Sequence, residues 1–345
     1  MTRWHWLIAA MFVLTAGMAR AQDAECAIAP EPVFSLSFGS RYADDSATRS
    51  EIDPKADADA DDALRPIDDF LRDLTASANK LLEDDTDKPA LADCIVSQIV
   101  IWARKAAMTD LQSDTANLTI GSRLAGFALV MLQVKPHATS TDEQAEILAW
   151  LSALMQTQML FWEEEAPDGA RQGNLLAWAA LGASALAGLT DDPALRGWAT
   201  WSVSYVLCKA EADGSLPQEM TRGKYALKYQ LHAIAPLVVS VLLLDRQGIA
   251  LHAICDTALD RIIGFALADL DKGAKTEAIT GKAQSFFDGT DEIEAFHLAW
   301  IEAYLIVATA DAPDRDALNA IADRYRPMNY SKLGGNQSRL WTVLP

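Results

Sequence analysis

The chain has 345 residues, half of them hydrophobic, and a formal charge of −19 at pH 7. That length and apolar content suffice for one large domain or two ordinary ones, while the negative charge excludes a general affinity for nucleic acid or anionic membranes. A polyanionic ligand would be repelled at long range, so a site for one needs local positive charge that overrides the global field.

The chain opens with Arg3, an apolar run from Trp6 to Leu14 and the ending Ala19-Arg20-Ala21, the pattern of a cleavable secretory signal peptide over 1–21. The apolar run is well short of the roughly 20 residues that span a bilayer. The mature chain, from Gln22, is therefore expected to be periplasmic or secreted, with no membrane insertion after cleavage. Loss of Arg3 and Arg20 leaves 27 basic against 48 acidic residues, a charge of −21. Cys26, Cys94, Cys208 and Cys255 have no zinc-site spacing, and disulfides are the default in an exported protein. Three pairings are possible. Cys26 with Cys94 is preferred because it ties the N-terminal segment to the body, closing a loop worth about 4 kcal/mol in the chain-entropy model. Cys208 and Cys255 either pair or remain buried thiols.

Residues 22–63 are polar and acidic and show no helical or strand periodicity. They are expected to form an extended N-terminal segment or flap, in which Tyr42 and Ser50-Glu51-Ile52-Asp53-Pro54 stand out. From Pro66 onward the pattern predicts helices over 66–83, 89–108, 118–134, 141–164, 174–188, 192–212, 219–246, 248–271, 291–309 and 314–325. Acids and proline at Thr141-Asp142-Glu143 and Asp191-Asp192-Pro193 suit helix N-termini. No strand is predicted. Consecutive helices with short connections imply antiparallel hairpins in a bundle, a solenoid or an α/α toroid, and the lack of a fixed-period repeat argues for the toroid. The expectation is an all-α domain over 64–345.

Within that domain, Asn174 begins a helix after Arg171-Gln172-Gly173, where asparagine is commonly an N-cap. Trp178 follows at i+4 as either a core residue or a sugar-stacking platform. The stretch from Asp213 to Leu237 is the most telling: a turn at Asp213-Gly214-Ser215, then a helix from Glu219. On one continuous helix Arg222 and Tyr229 would lie about 20° out of alignment, and Tyr225 within about 60° of Arg222. That face carries a guanidinium and two phenols, with Lys224 and Lys228 as further local positive charge. A solvated or stacked surface fits the same pattern. Asp213 and Glu219 offer a carboxylate pair for a hydrolase, although Glu219 suits a helix start. Farther on, His297 and Glu302 in apolar company read as a satisfied core pair, and the Gly-rich tail from Arg326 to Gly335 is able to dock back on the body.

Together these stretches resemble the periplasmic alginate lyases, the poly-β-D-mannuronate lyases. The likeness runs through Cys26, the Tyr42 and Ser50-to-Pro54 region, Pro66-Ile67-Asp68-Asp69-Phe70, the Asn174-to-Trp178 helix start, DGSLPQEMTRGKYALKY from Asp213 to Tyr229, and the segment Arg326 to Gly335. The resemblance implies an incomplete (α/α) toroid, a groove for an acidic polysaccharide, a lid made by the N-terminal segment, a monomer, and a β-elimination that needs no metal or cofactor. It places Arg222 and Asn174 on the uronate carboxylate, where they would stabilise developing charge. Tyr229 becomes the acid for the leaving C4 oxygen and a base for the C5 proton. Candidate substrate contacts are Tyr42, Arg171, Trp178, Lys224, Tyr225 and Lys228.

One departure bears on the chemistry. Where the family motif reads Asn-Asn-His, this chain has Gly173, Asn174 and Leu175, and Gln230 replaces a histidine often found after the tyrosine. If the histidine is indispensable, the chain binds polyuronate as an accessory of polymer export without cutting it. If one tyrosine serves as base and acid, the elimination is syn, as β-D-mannuronate and β-D-glucuronate allow, and α-L-guluronate resists. His232, about 60° round the helix from Tyr229, and Tyr225 are the residues nearest to a replacement.

Overall fold

A computed structural model of the chain describes residues 26–343, apart from 47, 309–311 and 313; the expected signal peptide lies outside the described residues. Local capping chemistry starts several helices. Asp53, Asp87, Ser113 and Asp192 each accept a backbone N–H from the first turn that follows, satisfying donors that have no partner inside the helix. The helices are α1 (Pro54–Lys80), α2 (Lys88–Arg104), α3 (Asp114–Val134), α4 (Thr141–Glu164), α5 (Asn174–Thr190), α6 (Pro193–Leu207), α7 (Pro217–Met220), α8 (Ala226–Arg246), α9 (Ile254–Leu267), α10 (Ala274–Thr280), α11 (Trp300–Val307), α12 (Arg315–Tyr325) and α13 (Gln337–Val343).

α1 begins twelve residues before the predicted start, so the N-terminal segment is extended only as far as Asp53. The Asp-Ala alternation of 57–62 shows no apolar face, yet alanine favours helix, Pro54 suits the first turn, and Ala60 is buried. α5 is the centre of the packing, meeting α3, α4, α6 and α8. Its alanines, including Ala177, Ala179, Ala180, Ala183 and Ala187, are fully buried, and such small side chains let neighbouring helices approach closely. Two helical stretches, Asp114–Val134 and Gly223–Arg246 (the turn before α8 together with α8), are long and apolar enough to cross a membrane, but 72% and 83% of their most apolar windows are buried inside the body. They are core helices here.

Two pairs of two-residue strands, which hydrophobic alternation could not reveal, fasten the ends of the chain. β1 (Ser35–Leu36) runs parallel to β2 (Asp110–Leu111), and β3 (Asn329–Tyr330) runs antiparallel to β4 (Gly335–Asn336). Disulfides join Cys26 to Cys94, the preferred pairing, and Cys208 to Cys255. The result is an all-α architecture of packed helix hairpins, an incomplete (α/α) toroid, with the N-terminal segment and the C-terminal tail laid across it.

Candidate active site

The stretch that suggested a site does not form one helix from Glu219. α7 ends at Met220, a 3-10 turn spans Gly223–Tyr225, and α8 begins only at Ala226. Gly223 has φ of +56°, a left-handed conformation that glycine adopts at low cost and that interrupts a right-handed helix. Arg222 and Tyr229 therefore do not owe their proximity to helical spacing. The turn folds Arg222 back so that its guanidinium carbon sits 4.8 Å from the centroid of the Tyr229 ring, a cation–π contact. Arg222 is buried, and its Nε has no hydrogen-bond partner among the described residues.

Behind Arg222, Glu219 is completely buried. Its carboxylate accepts the Asn174 backbone N–H at 2.7 Å and the Asn174 side-chain amide at 2.9 Å. Asn174 is thus not an N-cap; Gly173 holds that position without a side-chain bond, and Glu219 satisfies the α5 N-terminus from another segment. A Cβ on Gly173 would lie 2.2 Å from Glu219 Oε1, so this close approach requires glycine. Burial raises the Glu219 pKa, against the opposing effects of Arg222 and the two Asn174 donors. The Asn174 Oδ1 is buried without a partner among the described residues.

Tyr229 lines a cleft of about 390 Å³ with Tyr42, Arg41, Tyr225, Lys228 and His232. Tyr42 comes from the N-terminal segment. A β-bridge to Ile52 and an ion pair from Arg41 to Asp57 (2.5 Å) and Asp61 (2.6 Å) hold its loop on the start of α1. The Tyr42 and Tyr229 hydroxyls are in direct contact. Burial, with Tyr229 beside it, pushes the Tyr42 pKa upward, so Tyr42 remains a phenol able to donate to the Tyr229 oxygen. The C-terminal tail supplies Tyr330, and the 3-10 turn Ala295–Leu298 supplies Phe296 and His297. Lys228 bridges to Asp291 at 2.9 Å.

Of the residues expected at the site, the structure brings Tyr42, Tyr225, Lys228 and Tyr229 into the cleft, with Arg222 stacked on Tyr229 and Asn174 held by Glu219. Lys224 lines an adjoining cavity that shares Ile52 and Tyr225 with the cleft. Two expectations need correction. Trp178 is no exposed platform: it is 2% exposed and donates its indole N–H to His232 Nε2 at 2.9 Å. Arg171 gives its guanidinium to the carbonyls of Ala166 and Glu163, holding the loop before α5.

His232, expected about 60° round the helix from Tyr229, is in the cleft, its ring edge-on to Tyr229 at 6.3 Å. Burial and nearby cations lower its pKa to about 3, so the ring is neutral. Nor do His297 and Glu302 pair: Glu302 is bound by Arg326 at 2.7 and 3.1 Å, while His297 faces the cleft. Arg41 and Tyr330 carried weak signals in the sequence, one beside Tyr42 and the other in the tail expected to dock. Leu175 is half-buried against the hydrophobic core.

Residues 41–276 match the family model described as alginate lyase. A polysaccharide lyase of Stenotrophomonas maltophilia is 28% identical over 299 residues, covering 85% of this chain and 84% of the relative. An alginate lyase of Pseudomonas aeruginosa is 26% identical over 337 residues, covering 94% and 88%. Among solved structures, a tyrosine-to-phenylalanine variant of alginate lyase A1-III complexed with a tetrasaccharide superposes with a TM-score of 0.77 at 20% identity, covering 92% of this chain and 86% of that one. The histidine-to-alanine variant, also complexed with a tetrasaccharide, gives 0.76 at 21% identity with the same coverage.

Proposed function

Because the chain belongs to the alginate lyase family, we propose that this polysaccharide lyase cleaves a β-linked polyuronate, polymannuronate or polyglucuronate, by syn β-elimination. The observation that carries the reading is Tyr229 itself, with its hydroxyl in the cleft against that of Tyr42 and Arg222 on its ring; the resemblance puts Leu175 at the place of a motif histidine.

Arg222, aided by the second amide hydrogen of Asn174, holds the uronate carboxylate and draws charge from C5. Tyr229 takes the C5 proton, the electron pair forms the C4–C5 double bond, the C4–O4 bond breaks, and the same proton passes to O4. The step balances within one sugar and one phenol, with no net proton uptake. Tyr42 steadies the negative oxygen of Tyr229 by donating to it. One residue can serve both atoms only where the C5 proton and O4 share a face, which favours mannuronate and glucuronate over guluronate. The loop carrying Tyr42 acts as the lid, and the enzyme works as an exported monomer.

Incubation of the pure protein with polymannuronate, polyglucuronate and polyguluronate, followed by ultraviolet absorbance of the unsaturated product, tests the reading. Absorbance should rise with one or both of the first two and stay flat with the third. Leu175, where the resemblance leads one to expect histidine, favours a second reading, an accessory protein that grips polyuronate. Measurable binding with no absorbance from any polymer would establish that reading in place of the lyase.

A further inference from the structure

The cleft contains a histidine that the elimination does not use. His297 is 8% exposed, in the 3-10 turn before α11. Its Nδ1 accepts the backbone N–H of Glu294 at 3.1 Å, which places the single proton of a neutral imidazole on Nε2. Burial pushes its pKa down to about 4, with Lys228 acting in the same direction, so the ring is neutral at neutral pH. Phe296 lies against one side with centroids 3.9 Å apart, and Phe286 meets it edge-on at 5.1 Å. The ring is held in place.

That Nε2 is buried and has no partner among the described residues. A buried donor left unpaired bears its full desolvation cost, and in native proteins such groups call for a specific explanation. Here the residue lines the cleft that holds Tyr229, where a bound chain would supply the acceptor. A neutral donor does not compete with Arg222, Arg41 or Lys228 for a carboxylate. It suits a hydroxyl oxygen, whose position differs between epimeric sugars.

We propose that His297 is a specificity-determining contact of this cleft, its Nε2–H donating to a hydroxyl of the bound uronate chain. The inference rests on the polyuronate reading above and adds the side chain that reads the sugar. A site built to hydrogen-bond a hydroxyl discriminates against ligands that fail to present it, because the protein donor is then left unpaired.

The test is calorimetric titration of tetramannuronate and tetraglucuronate into the Tyr229→Phe protein, chosen so that binding is read without turnover. Adding His297→Leu should weaken the preferred oligomer about tenfold to a hundredfold and narrow the difference between the two. His297→Gln, whose amide N–H falls near the Nε2 position, should restore most of the affinity. Thermal melts of each variant show whether it is folded. If the Tyr229→Phe protein binds both oligomers and His297→Leu binds them as tightly, His297 is only a structural residue and this inference alone is overturned. If the Tyr229→Phe protein binds neither, the polyuronate reading fails and takes the inference with it.

Discussion

The proposed chemistry rests on one phenol, and a single-atom change isolates it. Tyr229→Phe removes the hydroxyl that meets Tyr42 while leaving the ring under Arg222. Turnover should fall by about a thousandfold or more, within the range general acid–base groups contribute when one group does both jobs, and oligouronate affinity should change little. Arg222→Ala should instead lose both rate and affinity, because it removes the charge proposed to hold the carboxylate. Initial rates and calorimetry on the two variants separate these outcomes; substantial residual rate in Tyr229→Phe would place the base elsewhere. Arg222 and Tyr229 were legible because they lie in one short stretch with recognisable order. Their supports were not. The bond that orients Asn174 comes from Glu219, 45 residues away, and no local pattern links a buried glutamate after a turn to the first residue of a distant helix. His297 was hidden for a related reason: buried among aromatics, it looks in sequence like any core histidine, and only the unpartnered nitrogen in three dimensions marks it.

Elements show the same division between local and distant causes. The long apolar helices were readable, since α3, α4, α5 and α8 carry enough buried side chains to declare themselves. The break between α7 and α8 was not, because a glycine within an otherwise helical pattern is tolerated as often as it interrupts. The early start of α1 was missed because its first turns are acidic on most sides. Those acids have a use: Asp57 and Asp61, one helical turn apart, clamp Arg41 and so fix the base of the Tyr42 loop. The backbone bonds Ala43 to Glu51 and Asp53 to Arg41 close the loop upon itself. Arg41→Met should free the loop from α1 without unfolding the body. The pair is half-exposed, so global stability should drop by only about 1 kcal/mol or less. Limited proteolysis should cut within 41–53 several times faster than in the unaltered protein, and KM for the polymer should rise. An unchanged cleavage rate would show that the β-bridge alone secures the loop.

At the scale of the whole molecule, an acidic chain surrounds a cleft that holds cations of its own, two of them already paired with carboxylates. The full chain carries −19, yet Arg41, Arg222 and Lys228 gather around Tyr229 and Tyr42. A polyuronate approaching from solution meets the global field first and the local cations only at contact. Screening acts on these two terms at different salt concentrations. The Debye length shrinks from about 30 Å at 0.01 M to about 10 Å at 0.1 M, which removes most of the long-range repulsion while leaving contacts of a few ångström, in a partly buried cleft, much less affected. The apparent second-order rate constant kcat/KM should therefore rise several-fold over that interval and decline at higher salt, as the short-range pairs are screened in turn. Initial rates of absorbance at polymer concentrations below KM, across a sodium chloride series, measure this directly. An enzyme steered by a basic surface loses rate from the lowest salt onward. A steady fall of that kind here would mean that the cleft cations reach beyond the acidic surface, and that the polymer is captured by attraction at a distance; a rate maximum near 0.1 M would mean that it is held only once it has entered the cleft.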